Sequence, residues 1–394
     1  MGAAVPRSGG CASQALGMAS ASNTSHNGKA ARDRLKRVRL GLIGCGVVGS
    51  GVLRVLSDRA GMVGGMGLEA TRIAVKHLSR PRPSYVPKER LTDDWRSVCL
   101  ADDVDVVIEV MGGIDVAHEV VRTAIRAGKP VVTANKALMA AHGPELRALA
   151  RDHGVAVRYE ASVLGGVPAI HTLQTYFRVN RVTALRGIVN GTSNYILTRM
   201  THEGASFADA LAEAQALGYA EPDPTSDVEG HDAFFKLQVL LQVLGVDTAP
   251  LRNEVHAPAL EPRPLDARLA AYLAAPREGI SHLRPDDVLR ARSRGEKLKH
   301  VATARWREDG VVETFIRVES LPPSDPLFGI DGVENALAIT GDVVGTVTLT
   351  GPGAGAFPTA SAVLEDVVQL VEVPHAGNAS VEDEIEWRVN SSRR

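Results

Sequence analysis

Gly44, Gly46 and Gly49 follow the apolar run 38–43 without a gap and open a helical run that reaches Leu56. A strand that breaks on Gly-x-Gly-x-x-Gly and turns at once into a helix leaves a chain few folds to choose from. The first glycine permits the tight turn, the second lets backbone amides approach a pyrophosphate, and the third lets helix pack closely on strand. The helix N-terminus presents unpaired N–H groups and a partial positive charge to the phosphates. Gly44, Cys45, Gly46, Val47, Val48 and Gly49 are therefore the expected turn of a dinucleotide site. Cys45 has no histidine or metal-ligand spacing around it and is given no chemistry of its own. The plainer alternative is a glycine-rich turn that only packs.

Apolar strand candidates recur at 73–78, 104–110, 130–133 and 155–159, separated by helical segments such as 118–127 and 143–152. Strands alternating with helices predict an α/β, Rossmann-type doubly wound parallel sheet over 37–166. The pattern changes after Gly166. Ser206 and Asp209 have capping-box spacing and start a helix that Gly218 ends. A second helix is expected from Ser226 or Asp227 to Leu244. Strands at 311–318, 336–340 and 343–349, joined by Gly, Pro and Asp turns, predict an α+β domain with a mostly antiparallel sheet over 167–350. A further helix is expected over 362–370.

Length and charge narrow the function. A chain of 394 residues suggests two or three domains. No apolar run approaches the roughly 18 residues that cross a bilayer, which excludes a membrane-spanning protein. The net charge of 44 − 46 = −2 makes no case for nucleic acid or anionic lipid as partner. Cys11, Cys45 and Cys99 are too far apart for a disulfide framework or a zinc site, and the expected compartment is the cytoplasm. Residues 1–36 are rich in Ala, Gly and Ser, carry no acid before Asp33, and read as a disordered extension. Residues 374–394 read as a frayed tail.

An acid that selects NAD is expected at the end of the second strand. That position instead leads into His77-Leu78-Ser79-Arg80-Pro81-Arg82. Arg80 and Arg82 either pair with a 2′-phosphate, favouring NADP, or form a basic surface loop. Asn135 and Lys136 lie just beyond another strand's carboxyl end, where open α/β sheets place their ligands. In the second half, Glu229, Asp232 and Lys236 are spaced by three and four on one expected helix, and so share a face. The next turn, 237–241, is strongly apolar. A helix that buries most of its length yet starts with acids and a lysine points to a polar pocket rather than an exposed ion pair. Glu221, Asp223 and Asp227 crowd the same end, a charge pattern suited to an amino-acid ammonium group and a tuned proton donor. Those acids are also expected to raise the pKa of Lys236. Glu160 and the following glycines, with their carbonyls, offer oxygen ligands to a hard monovalent cation. Asn190 to Asn194 read as a turn and N-cap, and His231 as a partly exposed helix residue.

Taken together, these motifs resemble homoserine dehydrogenase. They are Gly44-x-Gly46-x-Val48-Gly49, Ala134-Asn135-Lys136, Glu160-Ala161-Ser162-Val163, the run 190–198, Gly218 to Lys236, and Gly351-Pro352-Gly353-Ala354-Gly355. The likeness spans 38–371. It implies NAD(P)-dependent interconversion of L-homoserine and L-aspartate 4-semialdehyde, on the route to threonine, methionine and isoleucine. By motif it makes Lys236 the catalytic lysine, with Lys136 and Asp232 beside it. Gly218, Glu221, Asp227 and Asp232 match substrate positions. Glu160, Val163, Gly165 and Val167 match a sodium or potassium site. Gly355 matches a cofactor-touching return loop, so that 351–373 would pack back on the nucleotide domain. A homodimer through the second domain's sheet is implied as well. The family often carries Arg-Asp-Leu where this chain has Lys76-His77-Leu78, and smaller residues at Phe234 and Phe235. Only 394 − 355 = 39 residues follow Gly355, so no ACT domain is expected. The competing readings are another amino-acid or sugar dehydrogenase, and a non-catalytic nucleotide-binding paralogue.

Overall fold

A computed structural model describes residues 37–246, 248 and 277–372. The expected extension over 1–36 and tail over 374–394 lie outside them, as does Cys11. The first sheet is built on β1 (Arg37–Ile43), flanked in parallel by β3 (Met66–Ala74) and β5 (Val106–Glu109). Beyond β5 follow β6 (Val131–Thr133) and β7 (Val157–Arg158), also parallel. Beyond β1, β3 carries the short strands β2 (Met62–Val63), antiparallel, and β4 (Leu91–Thr92), parallel. The order β2-β3-β1-β5-β6-β7 runs one way from β1 through β3 and the other way through β5. The carboxyl ends of β1 and β5 are thus a topological switch point, where such sheets bind ligands. The connecting helices are α1 (Val47–Asp58), α2 (Trp95–Leu100), α3 (Asp115–Arg126) and α4 (Lys136–Asp152).

Two boundaries in this half differ from the sequence expectation. The strand expected over 73–78 starts and ends earlier. Gly64 and Gly65, at φ +56° and +74°, make a hairpin turn that starts β3 at Met66, so Lys76, His77 and Leu78 fall in a loop. The helix expected over 143–152 starts at Lys136. Asn135 caps it, its Oδ1 accepting from the Leu138 amide at 3.1 Å. Pro144 sits inside α4. A proline there frees the carbonyl four residues earlier. That carbonyl, of Ala140, accepts a hydrogen bond from Gln242 Nε2 at 2.9 Å.

Next come α5 (Ala169–Thr175), β8 (Val182–Ile188), α6 (Gly191–Glu203), α7 (Phe207–Ala216), α8 (Thr225–Val228) and α9 (His231–Val243). The expected cap of α7 is present, with Ser206 Oγ accepting from the Asp209 amide. After α10 (Pro285–Ser293), strands β9 (Lys297–Trp306), β10 (Val312–Leu321), β11 (Glu334–Gly341) and β12 (Gly345–Pro352) complete a second sheet ordered β10-β9-β8-β11-β12. All four of its pairings are antiparallel. The sequence reading missed β9, whose Lys297, Lys299 and His300 disguise a nearly buried strand.

The single helix expected from 226 to 244 is two. Gly230, at φ +76°, breaks it, and a Cβ there would crowd Ile316 and His300. Glu229 ends α8 and accepts from Ser281 Oγ. It does not share a helix face with Asp232 and Lys236. Helix α9 is buried from Asp232 to Val243, with Phe234 and Phe235 in the core shared with α4 and β8. The last helix, α11 (Ala356–Glu372), returns to the first sheet. Gly51 of α1 has no room for a Cβ because the Ala356 carbonyl oxygen occupies that space. Val363, Leu364 and Val367 join Leu40, Leu42 and Val52 in one core.

Candidate active site

A crevice of about 750 Å³ opens at the carboxyl ends of β1, β3 and β5, a volume suited to a small-molecule cofactor. Gly44, Cys45 and Gly46 form its floor, Met111, Gly112, Gly113 and Asp115 one wall, and Lys76, His77 and Arg80 another. Each glycine of the turn has its own reason. Gly44 stands at φ +104°, and a Cβ would lie 2.7 Å from the Val110 carbonyl oxygen. A Cβ on Gly49 would collide with the Gly44 carbonyl oxygen. A Cβ on Gly46 would meet nothing within 4 Å. It would project into open space at the start of α1, where a phosphate would otherwise approach the amides. Val47, which is exposed, and Val48 continue into α1 and do not line the crevice.

The loop after β3 assigns its two arginines different work. Arg82 donates to the carbonyls of His77, Leu78 and Arg80 and so stiffens the loop. Both arginines line the crevice, and the Arg80 side chain makes no hydrogen bond or ion pair among the described residues. Lys76 and His77 add to the same wall, and the lining also holds the acids Asp93 and Asp115.

From the crevice a chain of contacts leads to the polar cluster. Asn135 Nδ2 donates to the Gly113 carbonyl at 2.6 Å. Lys136 follows it, and its Nζ lies 2.7 Å from Asp232 Oδ1. The other Asp232 oxygen lies 2.8 Å from Lys236 Nζ. Lys236 also donates to the Val189 carbonyl at 2.6 Å. Asn190 Nδ2 bridges Asp227 Oδ1 at 2.7 Å and Asp232 Oδ2 at 3.0 Å. The side chains of Asp232 and Lys236 are under 10% exposed, whereas that of Lys136 is 40% exposed. One buried carboxylate therefore holds two lysines, one buried and one facing solvent.

Burial and charge oppose each other in this cluster. Burial pushes the Asp232 carboxyl up, but the two ammonium groups outweigh it and hold its pKa below the usual range. For Lys236 burial dominates, aided by the Lys136 charge, and the pKa falls despite Asp232. This corrects the expectation that nearby acids raise it. Lys136 is shifted the other way, chiefly by Asp232, with Asp227 and Glu221 contributing. Burial and the adjacent Asp232 raise the Asp227 carboxyl. Glu221 and Gly218 are exposed on the loop before α8, and the Tyr219 carbonyl ties that loop to Thr192 Oγ1 at 2.7 Å.

Glu160, Val163, Gly165 and Val167 share the loop after β7. The Glu160 carboxylate caps α5, accepting from the Ile170 amide at 3.0 Å and the His171 amide at 2.6 Å. Burial still pushes it up to about 7. The Val167 carbonyl accepts from the Ala169 amide. The carbonyls of Val163 and Gly165 accept no hydrogen bond among the described residues. Gly355, at φ +118°, opens α11 and does not line the crevice. His231 bonds Arg277.

The sequence reading overlooked two residues of this region. Asn190 reads as a cap, and does cap α6 through Oδ1, at 2.8 Å from the Ser193 amide. Its amide nitrogen also clamps two carboxylates 37 and 42 positions away, a link that no local spacing signals. Glu109, fully buried at the end of β5, accepts from Thr133 Oγ1 at 2.5 Å and the Met111 amide at 2.8 Å. Burial pushes its carboxyl up to about 7. An acid closing an apolar strand was the available signal.

The two halves match two family models: "Homoserine dehydrogenase, NAD binding domain" over 44–160 and "Homoserine dehydrogenase" over 168–368. The chain belongs to the homoserine dehydrogenase family. It is an NAD(P)-dependent oxidoreductase with homoserine dehydrogenase function. Homoserine dehydrogenase of Pseudomonas aeruginosa is 42% identical over 344 residues, covering 86% of this chain and 73% of that protein. The Bacillus subtilis homoserine dehydrogenase is 36% identical over 344 residues, covering 86% and 74%. The crystal structure of the Thiobacillus denitrificans homoserine dehydrogenase superposes with a TM-score of 0.77 at 37% identity, covering 89% of this chain and 78% of that one. These likenesses agree with the sequence resemblance and with both sheets. Among the described residues no helix is long and apolar enough to cross a membrane.

Proposed function

We propose that this homoserine dehydrogenase works at the Lys136–Asp232–Lys236 cluster, prefers NADP, and uses a monovalent cation. The observation that carries the reading is the single buried carboxylate bonded to two lysines, linked through Asn135 to the crevice wall. The bound nicotinamide supplies or accepts the hydride. Lys236 places a positive charge where the substrate oxygen becomes negative, and gives that oxygen a proton during reduction of the semialdehyde. In homoserine oxidation its lowered pKa suits it to take the hydroxyl proton. Asp232 and Asn190 hold the lysine in place. Glu221, exposed beside Lys136, and the Gly218 turn are assigned to the substrate ammonium group, with Asp227 supporting Asn190.

The crevice fits the nucleotide, since the open space at Gly46 is where a pyrophosphate would lie against α1. Lys76 and Arg80 supply positive charge at the edge where a 2′-phosphate would distinguish NADP from NAD. The oxygen-rich loop of Glu160, Val163, Gly165 and Val167 fits a hard cation, because two of its carbonyls have no other partner among the described residues. The exposed strands β10 and β12 edge the second sheet, which supports a homodimer through that sheet. A cytoplasmic enzyme serving threonine, methionine and isoleucine synthesis completes the proposal.

Initial rates of homoserine oxidation test it, with NADP or NAD and with sodium or potassium varied. NADP should give the higher kcat/KM, and rates should depend on the cation. Arg80→Ala should lower the NADP-to-NAD ratio about tenfold, the weight of one charged hydrogen bond. An NAD preference untouched by Arg80→Ala would refute the cofactor assignment. Rates indifferent to sodium and potassium would refute the cation assignment.

A further inference from the structure

A second cluster of metal-ligating side chains lies outside the catalytic cluster, between α3 and α4. His118 Nε2 lies 3.3 Å from Glu145 Oε1, and His142 Nδ1 lies 3.2 Å from Glu145 Oε2. Two imidazoles from different helices thus address the two oxygens of one carboxylate. Their rings stack with centroids 4.0 Å apart and planes 22° apart. The three ligand atoms all lie within 4.8 Å of one another. The two histidine separations, each to a different carboxylate oxygen, are close to the edge of about 3.3 Å of a tetrahedron around an ion with bonds of about 2.0–2.1 Å, and binding would draw the three ligand atoms closer together around it.

Accessibility agrees with that geometry. His142 is 4% exposed, His118 is 13% exposed, and Glu145 is 50% exposed. Two ligands are therefore held by packing, and the third reaches the surface. Among the described residues a cation also lies close, Arg122, whose Nε is 3.9 Å from Glu145 Oε1. It would compete for the carboxylate and moderate the affinity. Nitrogen and carboxylate donors without sulfur suit Zn²⁺ and its neighbours rather than Ca²⁺ or Mg²⁺.

We propose that His118, His142 and Glu145 form a site for one divalent transition-metal ion of the Zn²⁺ class, pinning α3 to α4. These helices frame the catalytic region. Asp115, at the start of α3, lines the crevice, and Lys136, at the start of α4, reaches Asp232. An ion bridging them braces the crevice without touching the reacting atoms.

Co²⁺ is the probe, titrated into the full chain freed of any affinity tag, because its visible absorption reports tetrahedral coordination. The expected result is one Co²⁺ per chain, displaced by Zn²⁺, with a higher Tm in the presence of either ion. His118→Ala and Glu145→Gln should each weaken binding at least about tenfold. Their metal-free homoserine turnover should stay within about twofold of the wild type, which also shows that they fold. Absence of stoichiometric Co²⁺ binding, or binding unchanged in both variants, would overturn the proposal and leave the three residues as a hydrogen-bonded triad.

Discussion

Lys236→Met removes the buried ammonium group while keeping most of the side-chain volume. In the wild type that ammonium lies 2.8 Å from Asp232 Oδ2 and donates to the Val189 carbonyl at 2.6 Å. Without it, Asp232 keeps Lys136 at 2.7 Å and the Asn190 amide at 3.0 Å. The substitution therefore does not leave a bare buried charge, which would cost about 3–5 kcal/mol. The loss is a charged hydrogen bond and an unsatisfied carbonyl, about 1–3 kcal/mol. The protein should fold, with Tm lower by a few degrees. Catalysis should suffer far more. Removing a positive group aimed at a developing oxyanion costs about 10²–10³ in kcat. The assay is homoserine oxidation followed by absorbance of the reduced nicotinamide, alongside cofactor titration by fluorescence. Cofactor affinity should stay close to wild type, because Lys236 does not line the crevice. A kcat within about fivefold of wild type would remove Lys236 from the chemistry, whatever its effect on stability.

Three further outcomes follow from the same geometry. Asp232→Asn removes the charge that raises the Lys236 pKa, so the rising limb of the oxidation pH profile should move to lower pH; a move to higher pH would contradict the field assigned to Asp232. Gly46→Ala adds a Cβ with nothing within 4 Å at the place where a phosphate would lie, so cofactor KM should rise at least about tenfold with a smaller effect on Tm than a core substitution has; a collapsed Tm with unchanged KM would mean that the turn only packs. Glu109 has a folded pKa pushed up to about 7 from an ordinary 4.5, so between those values the folded state binds the extra proton and stability falls as pH rises. Glu109→Gln should flatten that part of a Tm-against-pH curve, and an unchanged slope would show that Glu109 does not titrate there.

How much of this was legible in the residues depends on how local each cause is. The turn at Gly44 was legible because its three glycines recur at fixed spacing within six residues at the end of a strand, even though the crowding at Gly44 itself comes from Val110. The cap at Ser206 and the apolar run after Lys236 were legible for the same reason. The break at Gly230 was not, because Ile316 and His300, which crowd that glycine, come from distant strands. The early start of α4 was not legible either, because the carbonyl that Pro144 frees inside the helix is satisfied by Gln242, about a hundred positions away. Strand β9 hid behind Lys299, whose charge is accommodated by Asn194 and Asp331 across the fold.

The sequence by itself determined that a glycine-rich turn follows the first strand of a parallel sheet, that acids and a lysine start a buried helix, and that these motifs belong to one family. Only the tertiary structure decided which acid meets which lysine, that Asn190 clamps two carboxylates, and that the pKa of Lys236 falls. The reason is physical. Turns and caps follow from backbone sterics and neighbouring hydrogen bonds, whereas a pKa depends on the balance of desolvation and charge, and that balance exists only once distant side chains have been brought out of water together.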